Sequence, residues 1–128
     1  MDKTVIFLCG LIGAGKTTYA INNFEIFTDL DYLPQYSKKV DQINWTKRLL
    51  NNYDEVCHIT CYPTPEEVES FKDYKKRHLL INPNLEQAKS NILIRSRDRD
   101  MRNLKGVFDA NDEYFKKYQN DLDRWEII

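Results

Sequence analysis

The stretch GLIGAGKTT, residues 10–18, completes the pattern GxxxxGK(S/T) with Gly10, Gly15, Lys16 and Thr17. Glycines let a chain curl so that several backbone N–H groups converge on one anion. The lysine of this pattern places a positive charge against the β- and γ-phosphates of a nucleotide, and the threonine hydroxyl is a ligand for Mg²⁺. The stretch therefore predicts a triphosphate-binding loop, whose contacts we expect from Gly10, Gly13, Ala14, Gly15, Lys16, Thr17 and Thr18.

The sequence on either side of this loop supports the prediction. Residues 4–9 (TVIFLC) form a continuous apolar run rich in β-branched side chains, which is typical of a strand buried on both faces of a parallel sheet. Residues 16–23 can form a short helix, whose first free N–H groups would face the anion. A buried strand followed by a glycine-rich loop and a helix is the context that a phosphate-binding loop requires.

Segments that suit strands and segments that suit helices alternate along the rest of the chain. Strict alternation implies a parallel sheet with right-handed crossovers. The predicted fold is α/β, with three layers (α/β/α) and a sheet of four or five parallel strands. We expect further strands at 25–31, 55–62 and 78–82, and further helices at 39–52, after Thr64 with Val68, Phe71 and Tyr74 inward, after Asn84, and from Gly106 onward with Phe115, Tyr118, Leu122 and Trp125 inward.

Composition limits the remaining possibilities. The 128 residues suit one domain, and 19 basic against 20 acidic residues give a net charge of −1, which argues neither for nor against a nucleic-acid partner. No signal peptide or membrane span is visible, and three cysteines at no disulfide-like spacing suit a reducing compartment, so we expect a cytoplasmic protein without membrane partners. Cys57 and Cys61 fall on one face of a strand and His58 on the other, which favours buried apolar roles for the thiols over a metal site.

Two carboxylates offer the chemistry that a phosphate-binding loop alone lacks. The guanine-reading NKxD and the DxxG switch of GTPases do not occur, and the third predicted strand ends in Thr60 and Cys61 instead of the acidic residue that motor-type ATPases place there. Asp29 and Asp31 end the second predicted strand, two positions apart and hence on one side of it. This pair is the best candidate for ordering Mg²⁺ and for a general base.

With these residues in view, the chain resembles small phosphotransferases of the P-loop kinase superfamily. The loop and the D-x-D pair resemble shikimate kinase. The later part is similar to the kinase domain of phage-type polynucleotide 5′-hydroxyl kinases, in the order of its strands and helices, an arginine-bearing lid and a final helix with no fifth strand. The resemblance implies the P-loop NTPase fold, with ATP and Mg²⁺ as cofactors. The richness of the chain in Lys and Asn suits a bacterial or phage origin.

The resemblance also implies roles for individual residues. Lys16 and Thr17 would hold the β,γ-phosphates and Mg²⁺. In shikimate-kinase-like proteins the first acid of the pair supports the metal and the second meets the acceptor, which favours Asp29 for the metal and Asp31 as the base. In the polynucleotide kinases the acids are adjacent and a tyrosine follows them, and this pattern leaves the choice between Asp29 and Asp31 open.

Residues 95–105 are expected to form the lid. Phosphoryl transfer spreads charge over the equatorial oxygens, and a mobile segment can bring guanidinium groups to them. Arg95, Arg99 and Arg102 are the candidates, and Arg97 would point elsewhere if the helix persists. The alternative is a solvent-exposed run in which neighbouring aspartates pair with these arginines.

The resemblance leaves the phosphoryl acceptor undecided. A nucleoside, a nucleotide or a nucleic-acid 5′ end is expected, whereas shikimate is disfavoured because its glycine pair after the third strand is absent. Tyr32, Tyr36 and Trp45 could stack on an acceptor base or pack under a short cap. Two alternatives from other classes stay open, namely an ATP-binding module that transfers no phosphate and an ATPase without an acceptor.

Overall fold

The computed structural model describes residues 2–128. From β1 to α4 its strands and helices alternate as the sequence pattern predicts, and α5 and α6 follow before β5. In chain order they are β1 (Thr4–Cys9), α1 (Lys16–Asn23), β2 (Phe27–Thr28), a 3-10 turn (Leu30–Tyr32), α2 (Lys39–Leu50), β3 (Glu55–Ile59), α3 (Pro65–Ser70), β4 (Lys75–Leu80), α4 (Leu85–Arg95), α5 (Asp98–Met101), α6 (Leu104–Asn120), a second 3-10 turn (Leu122–Arg124) and β5 (Glu126–Ile127).

All five strands belong to one parallel sheet in the order β2-β3-β1-β4-β5. β1 lies at the centre, and its side chains alternate between two apolar cores. Val5 and Phe7 face the core that Ile43 of α2 and Tyr118 of α6 complete, whereas Ile6 faces the core that α1 covers. The predicted α/β class, the parallel sheet and the three layers are confirmed, and the sheet has five strands.

β1 and α1 begin and end where the sequence predicts. The predicted strand at 25–31 is wrong in length, because only Phe27 and Thr28 pair with β3. The Asp29 carboxylate accepts the backbone N–H of Asp31 at 3.0 Å and so caps the 3-10 turn that follows. The chain therefore leaves the sheet directly after Thr28, which brings both aspartates to its carboxyl edge.

Several other boundaries differ from the prediction. β4 begins at Lys75 instead of residue 78, since Lys75 pairs with Thr4 although its side chain is exposed. β3 ends at Ile59 instead of residue 62, and α2 ends at Leu50 instead of residue 52. The final helix begins at Leu104, because Asn103 caps it through the N–H of Gly106. β5 pairs with β4, contrary to the ending that the resemblance implied.

Two side chains expected in the core lie outside it. Val68 is 41% exposed, because the six-residue α3 turns Glu67 inward instead. Leu122 is 48% exposed, because α6 ends at Asn120 and a 3-10 turn breaks the helical spacing before Trp125. Within residues 2–128, every helix is too short or too polar to cross a membrane.

Candidate functional site

A cleft of about 510 Å³ opens at the carboxyl ends of the strands. This edge is where open parallel sheets bind their ligands, because loops and helix N-termini converge there. The phosphate-binding loop forms one wall. The opposite walls come from the turn after β2, the start of α2, the end of β3 and the segment after α4, with Asp29, Asp31, Lys39, Thr60, Cys61, Arg95, Arg97 and Arg99 lining the cleft.

Two glycines give the loop its shape. Gly13 has φ of 86°, and a Cβ at this position would lie 2.8 Å from the carbonyl oxygen of Ala88 in α4. Gly15 has φ of 87° and precedes α1, and a Cβ there would meet no atom within 4 Å. Both backbones lie in the left-handed region that favours glycine. Gly13 therefore permits close packing against α4, while Gly15 turns the chain beside open space.

Asparagine side chains from two helices hold the loop from behind. The amide of Asn111 in α6 accepts the backbone N–H of Ile12 at 2.8 Å and donates to the carbonyl oxygen of Ile12 at 3.0 Å. Asn91 in α4 donates to the carbonyl oxygen of Gly13 at 2.9 Å. Neither asparagine was predicted from the sequence. For Asn111 the sequence did hold a signal, because this residue lies four positions before Phe115 on the apolar stripe of α6. In the structure Asn111 is 3% exposed.

Lys16 lines the cleft. Its ammonium donates to the carbonyl oxygens of Gly10 and Leu11, each at 2.9 Å, and lies 3.5 Å from the Cys61 sulfur. The loop thus holds the charge beside the N-terminus of α1, where the helix dipole also favours an anion. Cys9 and Cys57, in contrast, are fully buried, and burial raises the pKa of each thiol.

The residues expected to hold Mg²⁺ are in contact. The Thr17 hydroxyl donates to a carboxylate oxygen of Asp29 at 2.7 Å, and Asp29 is 6% exposed. Mg²⁺ prefers oxygen ligands and is often bound by one or two protein groups together with substrate phosphates and water. This pair of oxygen donors beside a phosphate-binding loop fits that requirement.

Asp31 faces two arginines across the cleft. Its carboxylate lies 2.9 Å from a terminal nitrogen of Arg99 and 3.4 Å from one of Arg97. The hydrogen bond from Arg99 is the main reason that the pKa of Asp31 lies below its ordinary value. The expectation that Arg97 points elsewhere is wrong, because α4 ends at Arg95, and Ser96, with φ of 48°, redirects the chain.

Arg95 is fixed in a different way. Its terminal nitrogen binds the Asp100 carboxylate at 3.0 Å, and Asp100 is 4% exposed. Its Nε is buried, and no other group of residues 2–128 accepts its hydrogen. A buried donor without a partner is costly, which makes a ligand oxygen a fitting acceptor. Arg102 is exposed and does not line the cleft.

The proposed stacking aromatics are not in this cleft. Tyr32 packs against Phe27 with ring centroids 5.6 Å apart, and Tyr36 is 90% exposed. None of the Phe, Tyr and Trp residues within 2–128, Trp45 included, lines the cleft. Its lining combines charged and polar side chains with the aliphatic side chains of Ile12, Leu30, Ile59 and Ile94.

The amino-acid sequence matches no family model and no curated protein. A solved structure is similar, namely deoxyadenosine kinase from M. mycoides with bound dATP. The two structures superpose with a TM-score of 0.62 and 13% sequence identity, over 96% of this chain and 89% of that chain. This chain has the P-loop kinase fold.

A buried polar chain lies behind the wall of the cleft that α2 and β3 form. The Gln42 amide donates to the Thr28 hydroxyl at 3.3 Å, Thr28 and Thr46 share a hydrogen bond of 2.7 Å, and Thr46 lies 2.7 Å from Nδ1 of His58. Nε2 of His58 lies 2.5 Å from a Glu67 carboxylate oxygen. This pattern assigns the imidazole proton to Nε2, since Thr46 can then donate to Nδ1.

The ionisation states follow from these contacts. Burial lowers the pKa of His58, so the ring is neutral. Burial alone would raise the pKa of Glu67, but the hydrogen bond from His58 and the charge of Lys39 outweigh it and lower that pKa. Glu67 also completes the cap of α3, because its carboxylate accepts the N–H of Thr64 at 2.9 Å.

Proposed function

We propose that this chain is a kinase that moves the γ-phosphoryl group of ATP, with Mg²⁺, to a hydroxyl or phosphate of a nucleoside, a nucleotide or a nucleic-acid 5′ end. One observation carries the proposal: a phosphate-binding loop, a Thr17–Asp29 oxygen pair and an aspartate facing two arginines line the same cleft. The fold shared with a deoxyadenosine kinase supports it.

The loop would bind the donor. Its backbone N–H groups and Lys16 would contact the β- and γ-phosphates, as this loop type does. Thr17 and Asp29 would hold Mg²⁺, which when bound neutralises charge on the phosphate oxygens. Asp29 suits this support role better than that of base, because both its oxygens accept hydrogen bonds inside the protein.

Asp31 would act as the general base toward a hydroxyl acceptor. The acceptor oxygen forms a bond to the γ-phosphorus, the bond from that phosphorus to the β-bridging oxygen breaks, and the hydroxyl proton goes to the Asp31 carboxylate. The lowered pKa keeps that carboxylate ionised at neutral pH, and at 38% side-chain exposure it is accessible from the cleft. ADP leaves with the bridging oxygen.

Three arginines would stabilise the transferring group. Arg95, Arg97 and Arg99 reach the cleft from residues 95–105, which we propose as a lid within a single kinase-like domain. Guanidinium groups stabilise the charge that spreads over the equatorial oxygens. The left-handed backbone at Ser96 and the four-residue α5 separate this segment from α4.

The test is transfer of label from γ-labelled ATP with Mg²⁺ to a panel of nucleosides, nucleoside monophosphates and 5′-hydroxyl oligonucleotides. We expect label to reach one acceptor class, Lys16→Ala to abolish transfer, and Asp31→Asn to slow transfer to a hydroxyl about 100-fold or more. The exposed Asp123→Asn is the matched control and should transfer at the wild-type rate. Binding of ATP without transfer would favour a binding module, and hydrolysis that no acceptor accelerates would favour an ATPase.

A further inference from the structure

Lys39 is the second lysine that lines the cleft, besides Lys16. It is the first residue of α2, and 23% of its side chain is exposed. Its ammonium donates to the Gln42 side-chain oxygen at 2.9 Å, and it lies 3.4 Å from the Thr60 hydroxyl and 3.6 Å from Glu67. The ammonium is thereby fixed at the point where α2 and β3 meet the cleft.

The buried Glu67 does not need Lys39 to complete its hydrogen bonds. Its two oxygens already accept from His58 at 2.5 Å, from the Thr64 N–H at 2.9 Å and from the Thr60 hydroxyl at 3.1 Å. Lys39 is the most distant of these partners and lies beyond hydrogen-bond range of the carboxylate. Of the three donors of the ammonium, one binds Gln42 at 2.9 Å and a second makes a long hydrogen bond of 3.4 Å to Thr60. Donor capacity therefore remains for a ligand in the cleft.

The position of Lys39 relates it to the acceptor. Lys16 binds back onto the loop on the donor side. Lys39 belongs to the helix that follows Asp31 and packs against the turn that carries it. An acceptor beside Asp31 would therefore lie within the part of the cleft that Lys39 lines. None of the aromatic rings of residues 2–128 is in this lining, so this wall offers an acceptor no stacking surface, whereas Lys39 offers it a positive charge.

We propose that Lys39 binds a phosphate group carried by the acceptor, so that this enzyme phosphorylates an acceptor that is already a phosphate ester and discriminates against the free nucleoside. Lysine binds phosphate as a point charge, without the planar geometry that arginine demands. The inference rests on the proposed kinase function. The shared chemistry is a nucleoside phosphate ester, whether its phosphate is at the 5′ position or at the 3′ position beside a free 5′-hydroxyl.

The test compares steady-state kinetics for each of the four deoxynucleosides with their 5′-monophosphates and 3′-monophosphates. We expect the wild type to show a KM at least about tenfold lower for one monophosphate series than for the nucleosides, since a charge-assisted hydrogen bond contributes this much. The preferred series shows whether Lys39 binds a 5′-phosphate or a 3′-phosphate of the acceptor. Lys39→Gln should raise that KM about 10- to 100-fold and leave the KM for ATP and for the nucleoside within about twofold.

Two further variants separate binding from a structural role. Lys39→Arg should restore most of the preference, and Lys38→Gln, at the exposed neighbouring lysine, should leave it unchanged. Equal KM values for nucleosides and monophosphates in the wild type would overturn the inference. An equal loss for all acceptors in Lys39→Gln, together with a lower Tm, would also overturn it and assign Lys39 to the support of Glu67.

A binding measurement keeps this inference separable from the kinase proposal. The protein is saturated with the β,γ-imido analogue of ATP, and the monophosphates are titrated calorimetrically. If no label ever moves in the kinetic assay, the proposed function fails. Monophosphate binding that Lys39→Gln abolishes would still support a phosphate site at Lys39, and wild-type binding that Lys39→Gln leaves unchanged, or no binding at all, would refute that site.

Discussion

The two hydrogen bonds between Asn111 and Ile12 allow a sharp test of how the phosphate-binding loop is held. Asn111→Asp preserves the shape of the side chain. One carboxylate oxygen can still accept the Ile12 N–H, which lies 2.8 Å from the Asn111 oxygen in the wild type. The second carboxylate oxygen takes the place of the amide nitrogen, which in the wild type donates to the Ile12 carbonyl oxygen at 3.0 Å. A buried hydrogen bond becomes a contact between two acceptors, which costs about 1–3 kcal/mol.

The molecule can respond to this cost in two ways. If the loop stays in place, the loss appears in the free energy of unfolding; if the loop moves, it appears as weaker nucleotide binding. We expect the two losses together to reach about 1–3 kcal/mol, and a loss wholly in binding would raise the Kd for ATP about 5- to 140-fold. Urea unfolding and calorimetric titration with ATP measure the two parts.

The pH dependence of this variant provides a second check. Burial raises the pKa of a carboxyl group, and a protonated carboxyl can again donate to the Ile12 carbonyl oxygen. The combined loss should therefore be smaller at pH near 5 than at pH near 8 when each is compared with the wild type. Asn44→Asp, exposed on α2, is the control for the added charge. Wild-type stability and wild-type affinity in Asn111→Asp would refute the idea that this amide holds the loop.

Two further predictions concern stability. Gly13→Ala should lower the free energy of unfolding more than Gly15→Ala, because both have positive φ but only the Gly13 Cβ would lie 2.8 Å from a backbone oxygen of Ala88; equal losses in urea unfolding would contradict this. Folding holds the pKa of His58 below 6.5 and that of Glu67 below 4.5, so the unfolded chain binds more protons in acid and the unfolding free energy should fall as pH drops below about 6.5. Urea midpoints across this range test the sign, and His58→Gln should flatten the decline near pH 6.

The sequence carried enough information for the central strand and the loop. Residues 4–9 are apolar at every position but the first, and the loop pattern marks the start of α1, so both elements were predicted to the residue. The start of β4 was missed because Lys75 and Arg77 are charged, although their backbones pair within the sheet. Their charges are accommodated because the side chains are exposed, and Arg77 binds Glu126 of β5 at 2.9 Å.

The candidate site was predicted where residue type alone is informative. Glycines, Lys16, Thr17 and the two aspartates carry their chemistry in their identity and spacing. Lys39 does not, because it is one lysine in a polar stretch and gains its position only when α2 packs beside β3. Arg97 was misplaced for a related reason, since its direction depends on the backbone conformation of Ser96, a residue without a strong conformational signature.

The buried polar chain from Gln42 to Glu67 has a mechanical consequence. It ties β2, α2, β3 and α3 together through hydrogen bonds between buried groups. The opposite wall is attached by a short helix after a left-handed residue and carries exposed arginines. When the cleft closes around a ligand, we therefore expect the wall of α2 and β3 to stay in place and residues 95–105 to move toward it. Amide hydrogen exchange should be slow in α2 and β3 and fast between Arg95 and Asn103.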